Sequence, residues 1–480
     1  MMKEITELEP KALWTQFAKV CSIPHPSKHE EKIRQYVIDF AETHGLEYQQ
    51  DTVGNIVVRK AAAKGYEGHP TVVLQAHMDM VPQKNSDLKF NFETDPIQPY
   101  VDGEWVKAKG TTLGADDGMG VSAMLAILEG ENIPHPALEC LFTVDEETGL
   151  TGANALATDM LKGDILINLD SEDEGELYVG CAGAVNVTAN FEYKEEATPD
   201  DAVGYEVSLS GLKGGHSGLE IILQRGNANK LLARFLRENP CALISTIDAG
   251  GLRNAIPREA KAILAVPSAQ TTAFEKAAKD FEVTIQHELS HVEDSVKFEV
   301  KKVSAPAIVA AREFQGRFVA ALIAMPNGIM RMSDTVPGLV ETSTNMSRIE
   351  MACGRAQLLF MVRCMVNYGK KQVVAMIDSV VTLAGGRIEA QGDYDGWAPN
   401  PDSKILHVMK EGYEKLFGKV PEVKAIHAGL ECGIIGSKYP QLDMISIGPT
   451  MRFPHSPDEK VNIASVVKFY DFLLYTLKNI

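Results

Sequence analysis

The chain has 480 residues, of which 45% are hydrophobic and 23% charged, and it carries a formal net charge of −18. That length exceeds what one core usually holds, so two domains are expected of an otherwise ordinary globular composition. The acidity excludes a nucleic-acid binder, which needs a basic footprint to release counterions.

The opening MMKEITELEPKALWTQF is acidic and amphipathic and lacks the apolar core of a signal peptide. No run approaches the ~18 apolar residues of a membrane span, so no membrane association is expected. The seven cysteines (Cys21, Cys140, Cys181, Cys241, Cys353, Cys364, Cys432) are an odd number without CxxC spacing, most of them in apolar runs. Reduced thiols and a cytoplasmic location are expected, not a disulfide framework.

Residues 10–20 and 28–45 read as helices, the second opened by Ser27 as N-cap with Glu30 and Glu31 in its first turn. Residues 52–59 and 71–76 read as strands, 110–120 (GTTLGADDGMG) as a glycine-rich loop, and 121–128 as an apolar helix. Two more buried strands follow at 138–144 and 164–169. The three buried strands end in His77 and Asp79, in Glu146 and Glu147, and in Asp170. In an open sheet with alternating helices such tips converge on one crevice at the carboxyl ends of the strands. His77 and Asp79 fall on one face, a pairing that suits either a strand leaving the core or a metal ligand with a carboxylate fixing its tautomer.

From 185 to 396 the pattern changes to amphipathic strands and helices without acidic tips, ordered as two consecutive, similar α+β stretches. After WAPNP the α/β style returns, with helices at 407–417 and 461–477 and a strand at 444–448. His455 lies in the proline-rich loop that follows that strand. The chain therefore divides into 1–184, 185–396 and 397–480. Collected, His77, Asp116, Glu147, Asp170 and His455 are too many donors for one tetrahedral ion with an open position. They suit two divalent ions, Zn2+ with Co2+ or Mn2+ as substitutes. Of the adjacent Glu146 and Glu147, one can bind metal while the other serves as general base.

The segments HMDMVP, GTTLGADDGMG, DEETGLTGA, INLDSE, GLKGGHSG, RNAIPREA, HAGLECG and PHSPDE run in that order across nearly the whole chain. With them the chain resembles the M20 family of di-zinc metallopeptidases, most closely its aminoacyl-histidine (Xaa-His, carnosinase-like) dipeptidase branch. The resemblance implies an α/β catalytic domain with helices on both faces of a mixed, mostly parallel sheet, interrupted by an inserted α+β lid of two similar halves. It implies His77 and Asp170 on one zinc, Glu147 and His455 on the other, and Asp116 bridging, followed by a cis peptide at Asp116–Asp117. It makes Glu146 the general base, Asp79 the residue that orients His77, and His216 the donor to the oxyanion. Arg363, Asn254 and the backbone at Gly429 would hold the C-terminal carboxylate of a dipeptide. For Arg363, set in an apolar strand, an internal ion pair is the competing explanation. His427, Glu431 and His407 receive no role. A homodimer is expected by the same resemblance. The competing functions are N-acyl-amino-acid deacylation, tripeptide aminopeptidase action, and a non-catalytic metal-binding scaffold.

Overall fold

The computed structural model describes residues 4–480. The chain begins with α1 (Lys11–Cys21), α2 (Glu31–Thr43), β1 (Glu47–Gln50), β2 (Ile56–Lys60), β3 (Val72–His77), α3 (Ala115–Glu129), β4 (Leu138–Thr143), β5 (Ile165–Asn168) and β6 (Glu176–Cys181). It continues through β7 (Gly183–Glu192), β8 (Ala202–Ser210), α4 (Ala228–Glu238), β9 (Leu243–Gly250), β10 (Ala260–Pro267), α5 (Thr271–Glu288) and β11 (Lys297–Val303). Then come α6 (Arg312–Ala324), β12 (Val340–Ala352), β13 (Arg355–Cys364), α7 (Asn367–Leu383) and β14 (Arg387–Tyr394). The last stretch holds α8 (Lys404–Phe417), β15 (Glu422–Ile426), α9 (Glu431–Lys438), β16 (Asp443–Ser446) and α10 (Ile463–Asn479).

These elements form two compact units: the chain up to Cys181 with Trp397–Ala425 and Leu430–Ile480, and a second made of Ala182–Gly396 with Ile426–Gly429. Ile426–Gly429 departs from the division at 396/397 read from the sequence. Its carbonyls at Ile426 and Ala428 accept the Ala182 N–H, and His427 bonds to Ser343, so these residues are tied to the second unit.

The first unit is built on an eight-stranded sheet in the order β1-β2-β4-β3-β5-β16-β6-β15. Its centre, β4-β3-β5-β16, is parallel, and β1, β2 and β6 pair antiparallel at its flanks. Strands β3, β4 and β5 are buried along their whole length, as near-continuous Val, Ile and Leu runs require. Helix α3, apolar on every side, packs against α1 and β3. It begins at Ala115, inside the stretch read from sequence as loop, because only Asp116 and Asp117 leave helical geometry. Ser27 does not cap α2: the cap position is Glu30, and the Ser27 hydroxyl donates to the Met80 carbonyl instead.

The second unit carries a nine-stranded antiparallel sheet whose main path is β11-β8-β10-β9-β12-β13-β7-β14. Each half of that path is a β-α-β-β-α-β motif, β8-α4-β9-β10-α5-β11 and β7-α6-β12-β13-α7-β14, with mirrored strand orders. The halves meet edge to edge through β9 and β12. They are similar but not consecutive. The second half takes its first strand, β7, from before the first half, so one motif is nested within the other.

Candidate metal centre

The four parallel strands of the first unit end at one edge, and each delivers a side chain there. Strand β3 ends on His77 and runs on to Asp79; β4 leads into Asp145–Glu147; β5 leads into Asp170; β16 leads into the loop bearing His455. The His77 Nδ1–H faces the main-chain carbonyl of Asp79 at 3.0 Å, with the Asp79 carboxylate 3.4 Å away. With that nitrogen protonated, Nε2 keeps its lone pair. Around Nε2 stand Asp116 Oδ1 at 3.2 Å and Asp170 Oδ1 at 3.5 Å. His455 Nε2 lies 3.3 Å from Asp116 Oδ2 and 3.0 Å from Glu147 Oε1.

Two triads therefore share Asp116, one oxygen to each: His77–Asp116–Asp170 and Asp116–Glu147–His455, with donor atoms in each triad mutually within 4.8 Å. Glu146 joins His77 and Glu147 in an overlapping group. The residues fit a pair of cations. Two imidazoles and three carboxylates turn their donor atoms toward one another in these two groups, a nitrogen and oxygen set that suits borderline divalent ions.

Electrostatics point the same way. Burial lowers the His77 proton affinity, yet Asp170, Asp116 and Asp79 together lift it well above the usual range. His455 is raised to about 11, chiefly by bonds to Asp116 and Glu147. Burial raises Asp170 to about 8 and raises Glu146 well above its ordinary value, Asp170, Glu431 and Glu147 adding to the latter shift. Asp116 is held low despite burial, because both imidazoles bond to it. Both histidines are thus held toward the charged form by the acids around them.

Support for the ligands comes from side chains beyond those the sequence analysis assigned. The Glu459 carboxylate accepts the N–H groups of Leu113, Gly114, Ala115 and Asp116 at 2.6, 3.0, 2.7 and 3.3 Å, fixing the turn that presents Asp116. Gly114 makes that turn with φ +70°, and Asp116–Asp117 is cis, as the resemblance implied. Asp117 accepts the His77 N–H at 3.3 Å and the Gly120 N–H at 3.1 Å. Asp79 does more than face His77: its carboxylate also accepts the N–H groups of Glu146 at 2.9 Å and Glu147 at 3.3 Å. Glu459 lies in the quoted segment PHSPDE, and an acid beside a proline-rich ligand loop was the available signal.

His216, Asn254, Arg363 and Gly429 belong to the second unit. His216 Nδ1 accepts the N–H groups of Gly218 and Leu219, at 3.3 and 3.0 Å. A neutral ring so placed carries its proton on Nε2, which lies 3.4 Å from Arg363 Nη2. Two donors thus face each other. Arg363 is 5% exposed, its guanidinium hydrogen-bonds with Tyr394, and among the described residues no carboxylate pairs with it. His427 Nε2 pairs with Ser343 Oγ at 2.8 Å, and burial lowers its pKa to about 3. A Cβ on Gly429 would fall 2.9 Å from the Tyr394 hydroxyl. Asn254 is exposed, its carbonyl accepting the Ser217 N–H. His407 is exposed on α8.

Comparison with known proteins gives consistent relatives. The cytosol non-specific dipeptidase of Escherichia coli is 45% identical over 100% of this chain and 99% of its own length. A crystal structure of aminoacylhistidine dipeptidase from Vibrio alginolyticus superposes with a TM-score of 0.95 at 46% identity, covering 100% of this chain and 98% of that one. An aminopeptidase PepT structure from Bacillus cereus, 17% identical with a TM-score of 0.58 over 98% of this chain and 99% of that one, shares the fold. The sequence profile of peptidase family M20/M25/M40 matches residues 73–479. With that match over most of its length, the chain belongs to peptidase family M20/M25/M40.

Proposed function

We propose that this protein is a cytoplasmic, metal-dependent dipeptidase that hydrolyses unblocked dipeptides, Xaa-His and β-Ala-His among them. Support comes from the full-length likeness to proteins named cytosol non-specific dipeptidase and aminoacylhistidine dipeptidase. The observation that carries the reading is the pair of histidine–carboxylate triads sharing Asp116, with Glu146 beside them. On this reading 1–184 and 397–480 form the catalytic domain and 185–396 a lid.

His77 and Asp170 would hold one cation, Glu147 and His455 the other, with Asp116 between; the donor set suits zinc, with cobalt or manganese as substitutes. Such a pair supplies an acidified water and a polarised carbonyl. Glu146 takes the proton of the attacking water and passes it to the leaving amine. Asp79 holds the His77 ring and the backbone of Glu146. His216 donates Nε2–H to the developing oxyanion. Arg363 pairs with the substrate's C-terminal carboxylate, assisted by Asn254 and the Gly429 backbone. A longer peptide leaves that guanidinium unmatched, which selects dipeptides.

The test is metal analysis of the purified protein with a substrate panel of Gly-His, carnosine, a tripeptide and an N-acetyl amino acid, each with and without chelator. Chelator-sensitive turnover fastest on the dipeptides is expected. Faster turnover of the tripeptide or the acylated amino acid assigns a different activity, and light scattering of the same sample tests the expected homodimer.

A further inference from the structure

Glu431 has no part in the chemistry above, yet its surroundings are unusual. It is the first residue of α9 and is fully buried. One carboxylate oxygen, Oε2, accepts bonds from Gln75 Nε2 at 2.6 Å and Thr143 Oγ1 at 2.7 Å. The other, Oε1, is buried without any partner. No Lys, Arg or His side chain pairs with Glu431 among the described residues. A buried carboxylate in that state is costly unless it is protonated or a positive charge lies near.

The bonds place it with respect to the ligands. Gln75 precedes His77 by two positions on β3, and Thr143 is paired with His77 across β3 and β4. Gln75 Oε1 accepts Asn168 Nδ2 at 2.6 Å; Asn168 ends β5, and its own Oδ1 accepts the Asp170 N–H at 3.4 Å and the Ser446 hydroxyl of β16. One polar ladder thus crosses all four parallel strands just before their ligand-bearing tips, and Glu431 is its single ionisable member. The carboxyl of Glu431 interacts electrostatically with His77 and Asp79, and its charge is felt at Glu146 and Asp170. Burial raises its pKa to about 7, with Asp79 adding to the effect. Within the chain only His77 and the bonds from Thr143 and Gln75 favour the ionised form, and they do not offset burial; a pair of divalent cations above the ladder would add to them.

We propose that Glu431 is a positioning residue of the metal centre: anchored by Gln75 and Thr143 below the strand tips, it holds a negative charge that raises the centre's affinity for cations without touching them. This rests on the metal reading of the two triads. The ladder keeps the tips of β3, β4 and β5 in register, and the carboxylate supplies charge that the three carboxylate ligands alone do not. Ligand supports of this kind typically change metal affinity ~10–100-fold.

The experiment compares wild type, Glu431→Gln, Glu431→Asp, Thr143→Val and His77→Ala, measuring zinc affinity by chelator competition and melting temperature with and without zinc. Glu431→Gln keeps an acceptor for Gln75 and Thr143 but removes the charge. It is expected to weaken zinc binding ~10–100-fold, to melt no lower than wild type when metal-free, and to gain less from added zinc. Glu431→Asp, which keeps the charge, is expected to lie nearer wild type. Thr143→Val, which removes one tether and keeps the charge, is expected to cost less affinity than Glu431→Gln. Three results overturn the proposal: unchanged zinc affinity in Glu431→Gln, an equal loss of melting temperature with and without zinc (including failure to fold in both), or Thr143→Val matching Glu431→Gln. If His77→Ala binds zinc as wild type does, the metal reading itself has failed, a result separable from any of these.

Discussion

Two clusters of buried polar groups, one in each unit, are built with opposite signs. In the first, Asp116, Asp170, Glu146 and Glu147 gather around His77 and His455, whose proton affinity neighbouring carboxylates raise. In the second, Arg363 is buried with an orphaned Nε, His216 turns a donor toward it, and His427 is kept neutral by burial and by Arg363. Buried polar groups are normally matched from within the chain; under the proposed function the acids would be matched by cations and the guanidinium by an anion.

The sharpest test of the acidic cluster is Glu146→Gln, which should leave metal content unchanged while lowering kcat by ~10²–10⁴, the range for loss of a general base. Equal turnover by the variant would reduce Glu146 to one more acid among the supports. Asp79→Ala comes next. Because Asp79 accepts the N–H groups of Glu146 and Glu147 as well as facing His77, both metal affinity and turnover should fall, each by ~10–100-fold. A change confined to metal affinity would separate the His77 contact from the backbone contacts. For the basic cluster, Arg363→Met should raise KM for dipeptides about tenfold or more, the loss of one charged hydrogen bond. A dipeptide amide, lacking the carboxylate, should show little difference between variant and wild type. If both substrates suffer alike, Arg363 is structural and the comparison of signs collapses.

Much of the acidic cluster was legible in the sequence because buried parallel strands write themselves as uninterrupted apolar runs. VVLQAH ends on His77, two residues before Asp79, and LECLFT and ILIN end within four residues of Glu146 and Glu147 and of Asp170, so the ligands stood out as breaks in pattern. What escaped was held by distant partners. Glu459 clamps Ala115 across 344 positions, and Glu431 reaches Gln75 across 356, separations at which local pattern does not name the partner. Ser27 matched a helix cap by composition, but a tertiary acceptor at Met80 took its hydroxyl. The nested halves of the second unit were misread as consecutive for a related reason. Strand β7 pairs only with β13 and β14, more than a hundred residues on, and alternation alone does not reveal such a partner.

The two signs also predict opposite responses to pH in the metal-free protein, the smallest of these effects. Glu431 and Glu459 are raised to about 7 by burial, Asp79 and Asp116 respectively adding to it, above the ~4.3 of an unfolded glutamate. Between those values the folded chain holds protons that the unfolded chain has released, so this contribution to stability declines as pH rises toward 7. His427, lowered to about 3, does the reverse. The unfolded chain takes up a proton below ~6.5 that the folded one refuses, so stability falls as pH drops through that window. Melting temperatures of chelated protein between pH 5 and 8 should therefore show Glu431→Gln flattening the decline on the alkaline side and His427→Gln flattening it on the acid side. Zinc should abolish the first dependence, because cations at the triads favour ionised acids, and leave the second in place. If zinc altered both equally, or if both substitutions acted on the same limb, the two clusters would not be the independent, oppositely charged sites that their hydrogen bonding indicates.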